Sequence, residues 1–212
     1  MGRARAVMFD FDGTLVDTMG GFADIAAGVM HRRHGLDLAF ARTEYLRTSG
    51  LPFRQQLELI APGDPRNDDA AAEFEATKIA GFFAERFDDD VKSAVRGLQD
   101  KGFKCIVSSN NFQELVDQFV AREPDVRFDL VLGARPNFFK GADHFRHVKQ
   151  VFGLDGDELV FVGDSLKDGE KAQVNHVRFV ARTGTFTAQD FQRRFPGVPT
   201  VDRLTSLLDI VE

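Results

Sequence analysis

Five short apolar runs punctuate the chain, at residues 6–9, 103–107, 128–132, 159–162 and 178–181. Each is nearly continuous rather than alternating, the pattern of strands covered on both faces. Helical spacing fills intervals between the later runs. Phe112, Leu115, Val116, Phe119 and Val120 fall at i, i+3, i+4, i+7 and i+8, and Pro124 closes that segment. Phe145, Val148 and Phe152 follow the third run and stop at Gly153. Strands alternating with helices imply βαβ crossovers, and so an α/β fold with a doubly wound parallel sheet whose ligands bind at the carboxyl ends of the strands.

The first interval is different. Roughly 90 residues separate Asp10 from Phe103, where a βα crossover needs about a dozen. Within it Phe22, Ile25, Ala26, Val29 and Met30 form one amphipathic face ending at Gly35, and helical spacing recurs over 57–60 and 70–87 around a loop at 61–69. The insertion reads as an all-helical cap domain over residues 18–88, leaving residues 1–17 and 89–212 as the Rossmann-like α/β core. Val91, Ala94, Val95 and Leu98 make a helix that belongs to the core, with Asp88, Asp89 and Asp90 at its start and Gly102 as its stop.

Composition excludes several classes. The 212 residues are 43% hydrophobic and 28% charged, ordinary globular usage that rules out a disordered or fibrous chain. With 27 basic and 33 acidic residues, a net charge of −6 argues against nucleic acid or an anionic membrane as partner, so an anionic ligand must be met locally. No apolar run approaches the roughly 20 residues of a membrane span, and the N-terminus enters its first strand without an export signal, which makes the cytoplasm the expected location. The single cysteine, Cys105, lies in an apolar run and reads as core. The 22 phenylalanines, with no tryptophan, read as core filler that could bury a cap or a dimer face; a monomer is favoured.

Chemistry gathers where the strands end. The first run leads into Asp10-Phe11-Asp12-Gly13-Thr14, two carboxylates at the end of a buried strand just before a glycine turn. Such acids either satisfy turn amides or need a cation, and hard Mg²⁺ suits carboxylates completed by water and phosphate. The second run ends at Ser108-Ser109-Asn110 ahead of a helix, residues suited either to phosphate or to simple N-capping. Lys140 stands alone ahead of Gly141 and a helix, where a solvated surface lysine is the plain reading. The fourth run delivers Asp164, with Asp168 four residues on. Acids or hydroxyls from three of five strand ends, plus a lysine, converge on one sheet edge.

In order, DFDGTLVDT, VSSN, a lysine before a helix and VGDSLKD resemble the haloacid dehalogenase-like superfamily, over the core and most of the chain. The resemblance implies a Mg²⁺-dependent phosphatase of small phosphorylated metabolites. Asp10 would be the nucleophile that forms an aspartyl-phosphate and Asp12 the general acid and base. Ser108 would bind the phosphoryl group with Gly13, Thr14, Ser109 and Asn110, and Lys140 would bind it too while neutralising nucleophile and phosphate. Asp10, Asp164 and the carbonyl of Asp12 would hold Mg²⁺, supported by Asp168. An acid at position 12 favours phosphomonoester hydrolysis or mutase chemistry over dehalogenation. Gly20-Gly21-Phe22 stands where related sugar phosphomutases carry histidine, which favours hydrolysis. The stretch 48–54 resembles a cap loop, and Arg54 or Arg47 could meet an acidic substrate group or simply lie on a helix surface. His31 with His34 and His144 with His147 read as solvent-facing helix positions rather than metal pairs. The alternatives are a phosphomutase of the same family, a non-catalytic phosphate- or metal-binding protein on this fold, and a signalling receiver domain. The receiver is disfavoured by motif order and by the large helical insertion.

Overall fold

The structure, a computed structural model that describes residues 3–211, begins with β1 (Ala6–Asp10), buried along its whole length. Four helices follow: α1 (Met19–His34), α2 (Leu38–Arg47), α3 (Phe53–Ile60) and α4 (Asn67–Gly81). After α5 (Asp89–Asp100), strands and helices alternate as β2 (Lys104–Phe112), α6 (Gln113–Ala121), β3 (Leu130–Ala134), α7 (Ala142–Phe152), β4 (Leu159–Gly163), α8 (Leu166–Val174), β5 (Arg178–Arg182), α9 (Ala188–Arg194) and β6 (Thr200–Val201). A 3₁₀ helix at Leu204–Asp209 comes last.

The strands form one sheet, ordered β3-β2-β1-β4-β5-β6, and every pair is parallel. This is the doubly wound α/β class that the apolar runs predict. The chain builds outward from β1 through β2 and β3, then in the other direction through β4 to β6. β1 is therefore the switch point, and the crevice at the carboxyl ends of β1, β2 and β4 is where such sheets take ligands.

Two compact units make up the chain: Met1–Val16 with Arg86–Glu212, which holds the sheet, and Asp17–Glu85, which holds α1 to α4. In the sheet unit, Met8, Ile106 and Phe161 pack with Phe145 and Val148 of α7. Phe11 meets Phe119 edge-on at 5.0 Å, and Phe119 meets Phe87 at 5.2 Å. Each fully buried phenylalanine contributes about 1.5–3 kcal/mol by leaving water, and many of the phenylalanines are core, while Phe40, Phe112 and Phe139 are exposed. In the helical unit Phe22, Ala26, Met30, Tyr45, Leu57 and Phe74 form the core, and the Phe53 and Phe74 rings lie 4.2 Å apart. Cys105 is buried, and burial pushes its thiol up to about 12, so it is inert core. Among the described residues no helix is long and apolar enough to cross a membrane.

The structure adds two elements to those the apolar pattern marks and moves the start of one strand. A sixth strand exists, β6, but its two residues pair only with the end of β5 and are too short to print an apolar run. Helix α2 gives little signal because only Ala41 and Tyr45 of its ten residues are buried, while Leu38 and Phe40 are exposed. β3 starts at Leu130 rather than Phe128: the backbone and carboxylate of Asp129 hold Cys105, its N–H and carbonyl included, before the ladder begins.

Asp90 ties the C-terminal segment to α5. Its carboxylate accepts from the Leu204 N–H (2.6 Å), the Thr205 hydroxyl (2.7 Å) and Arg203 Nε (3.2 Å). Burial alone would raise its pKa, but these donors together hold it below the ordinary value of 3.8. Asp90→Ala is expected to cost about 1–3 kcal/mol in chemical denaturation at pH 7, the range for stranding buried donors. Because the folded pKa lies below the unfolded one, the ionised carboxylate's stabilisation is complete above the unfolded pKa and fades as pH falls through the folded value. The wild-type and Asp90→Ala stability curves should therefore converge in acid.

Candidate active site

Asp10 ends β1, and in sheet register it stands opposite Ser108 of β2. The chain then turns at Gly13, whose φ of 80° favours glycine and whose N–H donates to the Val16 carbonyl at 2.7 Å. Arg182, the last residue of β5, pins this loop through Nη1, which donates to the carbonyls of Thr14 (2.5 Å) and Gly13 (3.1 Å). Thr14 is buried, and its hydroxyl finds no hydrogen-bond partner among the described residues.

β2 leaves its ladder after Ser108, and the register resumes only at Phe112. The polar run between them bends at the sheet edge, where the Ser109 hydroxyl accepts from the Asn111 N–H at 3.0 Å. Asn111 Nδ2 donates to Asp12 Oδ2 at 2.7 Å. Ser108, Ser109 and Asn110 are not helix caps, since Phe112 occupies the N-cap position of α6. Ser108 and Ser109 are buried; Asn110 is exposed.

Lys140 is buried, and its Nζ lies 2.6 Å from Asp10 Oδ1 and 2.7 Å from Asp168 Oδ1. The reading of a solvated surface lysine does not hold. Asp168 is the third residue of α8 and completes a capping box with Ser165, its Oδ2 accepting from the Ser165 hydroxyl at 2.6 Å. Gly163 permits this approach, because a Cβ there would lie 2.7 Å from the Asp168 Cβ. Asp164 follows β4, is buried, and accepts a short hydrogen bond from the Thr185 hydroxyl.

The structure thus brings Asp10, Ser108, Lys140, Asp164 and Asp168 to one edge of the sheet, with Asp12 bound to Asn111 beside them. Arg54 lies in the helical unit, exposed and ion-paired with Glu58 and Asp68. Arg47 is likewise spent on Glu44, at 2.6 Å. His144 overturns its expected exposure. It is fully buried, its Nδ1 2.8 Å from Ser108 Oγ. Asn111, Thr185 and Arg182 are further site residues that the sequence reading missed.

The electrostatics follow from burial and proximity. Burial pushes the Asp10 carboxyl well above its usual value; Lys140 opposes this, while Asp168 and Asp164 add to it. Asp164 rises to about 6, through burial and the Asp168 charge. For Asp168, burial is outweighed by the ammonium groups of Lys140 and Lys171, and its pKa falls. Lys140 rises despite burial because Asp10 and Asp168 flank it. Oxygens of Asp10, Asp164 and Asp168 all lie within 4.8 Å of one another. Three buried carboxylates grouped this closely, two of them with pKa values raised first by burial, fit a hard divalent cation, and Mg²⁺ suits this set.

The sequence model of the haloacid dehalogenase-like hydrolases matches residues 4–173. The chain belongs to that family. Solved structures similar to this hydrolase include a provisionally named phosphoglycolate phosphatase from Lactobacillus delbrueckii subsp. bulgaricus, with 20% identity, a TM-score of 0.82 and 99% of each chain covered. A haloacid dehalogenase-like family protein from Streptococcus pneumoniae is 17% identical, with a TM-score of 0.81 and 99% of each chain covered. A predicted phosphoglycolate phosphatase from Haemophilus somnus is 19% identical, with a TM-score of 0.78 and 100% of each chain covered. At these identities the likeness bears on the fold of the hydrolase. No curated protein sequence matches it.

Proposed function

We propose that this hydrolase is a Mg²⁺-dependent phosphatase that cleaves a small phosphomonoester through an aspartyl-phosphate on Asp10. The observation that carries the reading is the Lys140 ammonium, held 2.6 Å from Asp10 and 2.7 Å from Asp168 beside the Asp164 carboxylate. A carboxylate attacking a phosphate dianion meets like-charge repulsion, and buried positive charge beside the nucleophile is what lowers it. Mg²⁺, held by Asp10, Asp164 and the Asp12 carbonyl with Asp168 in support, would supply further positive charge for the phosphoryl oxygens.

Asp10 attacks phosphorus as the bond to the leaving oxygen breaks, and Asp12 hands that oxygen its proton. Water then attacks the aspartyl-phosphate, Asp12 takes the water's proton, and inorganic phosphate leaves Asp10 as it began. Asn111 holds the Asp12 side chain for both steps through its 2.7 Å hydrogen bond. Ser108, opposite Asp10 in the sheet, donates to a phosphoryl oxygen. The names of the similar solved structures from Lactobacillus delbrueckii and Haemophilus somnus support a phosphomonoester as the substrate class.

The test is phosphate release from a panel of phosphoglycolate, sugar phosphates and nucleoside monophosphates, with Mg²⁺ and with EDTA. Release that needs Mg²⁺, stops with the chelator and returns with added Mg²⁺ is expected. No release from any compound while Mg²⁺ binds would overturn the phosphatase reading. An isomerised sugar phosphate appearing in place of free phosphate would replace it with a mutase.

A further inference from the structure

We propose that His144 is the positioning residue for Ser108, fixing the direction in which that serine's hydroxyl meets the phosphoryl group. The inference rests on the phosphatase reading above. Ser108 is fully buried opposite Asp10, and its Oγ lies 2.8 Å from His144 Nδ1. His144 is the third residue of α7 and follows Lys140 by four positions, so one short segment delivers both the ammonium that meets Asp10 and the imidazole that meets Ser108.

Packing alone does not explain a histidine here. The side chain is completely buried on the face of α7 that also carries Phe145 and Val148. A phenylalanine or leucine would fill that space without the cost of burying a polar ring. The ring is also held in place: Phe138 packs on it with centroids 4.7 Å apart, and the Arg135 guanidinium lies 4.4 Å from the Phe138 centroid. Burial, opposed by a hydrogen bond with the Gly133 backbone, pushes the imidazole pKa down to about 3, so the ring is neutral near neutral pH and contributes direction rather than charge.

Direction is what Ser108 needs. A lone serine hydroxyl turns among three staggered positions, and the charged oxygens of a phosphomonoester dianion can only accept, so the serine must keep its own proton for the phosphoryl oxygen. This role requires the ring proton on Nδ1: His144 then donates to Ser108 Oγ and leaves the serine O–H free to donate to the phosphoryl group. The oxygen is held and its proton is aimed before substrate arrives.

The test compares His144→Phe, which keeps the bulk, with His144→Asn, whose amide nitrogen reaches the Nδ1 position, and His144→Gln, whose amide does not. Each is made in the wild type and in Ser108→Ala. Three quantities are read with Mg²⁺ present: kcat and KM on the best compound of the panel, the Kd of inorganic phosphate by calorimetry, and the Tm. His144→Phe and His144→Gln are expected to raise KM and weaken phosphate binding by about two- to tenfold, the range of one hydrogen bond, with a smaller change in kcat. His144→Asn should restore most of the loss. In the Ser108→Ala background none of the three should change phosphate binding further, because the residue acts through that hydroxyl.

A lowered Tm with unchanged phosphate affinity would overturn the proposal, as would a penalty of equal size with and without Ser108. Should His144→Phe fail to fold, the contrast between His144→Asn and His144→Gln decides the matter. Wild-type protein that releases no phosphate from any compound would overturn the phosphatase reading and this proposal with it. An active wild type with an unchanged His144→Gln variant would overturn only the positioning role.

Discussion

Asp10→Asn is expected to lower Mg²⁺-dependent phosphate release by at least about 10⁴-fold while leaving the fold intact. An amide oxygen of the same shape is not a nucleophile toward phosphorus, so no aspartyl-phosphate forms. The surroundings tolerate the exchange. The acceptor that takes the Phe11 N–H at 2.6 Å is retained, and Lys140 keeps its 2.7 Å partner in Asp168. One of three facing buried carboxylates loses its charge, so without Mg²⁺ the variant should be at least as stable as the wild type in chemical denaturation. Phosphate release from the best compound of the panel, with circular dichroism as the check on folding, decides the outcome. A folded variant that turns over at the wild-type rate would remove Asp10 from the chemistry and show any measured activity to be a contaminant's.

Much of this site was legible because its residues sit where buried strands stop. Asp10, Ser108 and Asp164 are each the first polar group after an apolar run, and a polar side chain that deep at a strand end needs a turn amide, a cation or a ligand to satisfy it. What escaped is non-local. Asn111 meets Asp12, and Thr185 meets Asp164, only because β2 and β5 lie at particular places in the sheet; nothing in their own neighbourhoods records it. Arg182 is equally silent, since its role depends on reaching the carbonyls of Gly13 and Thr14 from β5. His144 is the instructive miss. It lies four residues before Val148 and next to Phe145, on the apolar face of α7, so the periodicity that found the helix also placed this histidine inside. The lack of a third metal ligand beside His144 and His147 points to a solvent face, whereas the position of His144 on the apolar face points inside. In the fold, β6 and α2 escaped for the opposite reason, having too little buried surface to leave a pattern.

Lys140→Met should have the largest effect on stability, and an effect that depends on the metal. The lysine is the ammonium between Asp10 and Asp168, all three buried, and removing it leaves carboxylates facing one another across a low-dielectric pocket. Breaking a buried ion pair from one side costs about 3–5 kcal/mol, and methionine of similar length opens little cavity to add to that. In EDTA the variant should lose stability on this scale at pH 8 and less at pH 5, because protonation is the remaining way to discharge the cluster. The sign follows from linkage: losing the ammonium raises the folded carboxyl pKa values, taking Asp10 and Asp164 further above their unfolded ones and removing what holds Asp168 below its own, so the folded state binds more protons and stability falls as pH rises. Mg²⁺ should recover part of the loss by placing positive charge among the same oxygens, which lie within 4.8 Å of one another. Turnover should stay about 10²–10⁴-fold below wild type even with Mg²⁺ saturating, since Mg²⁺ does not replace the ammonium aimed at the nucleophile. Denaturation at two pH values with and without Mg²⁺ separates these contributions. Equal stability loss in all four conditions would mean that Lys140 is held for packing, and that the charge balance of this cluster is set elsewhere.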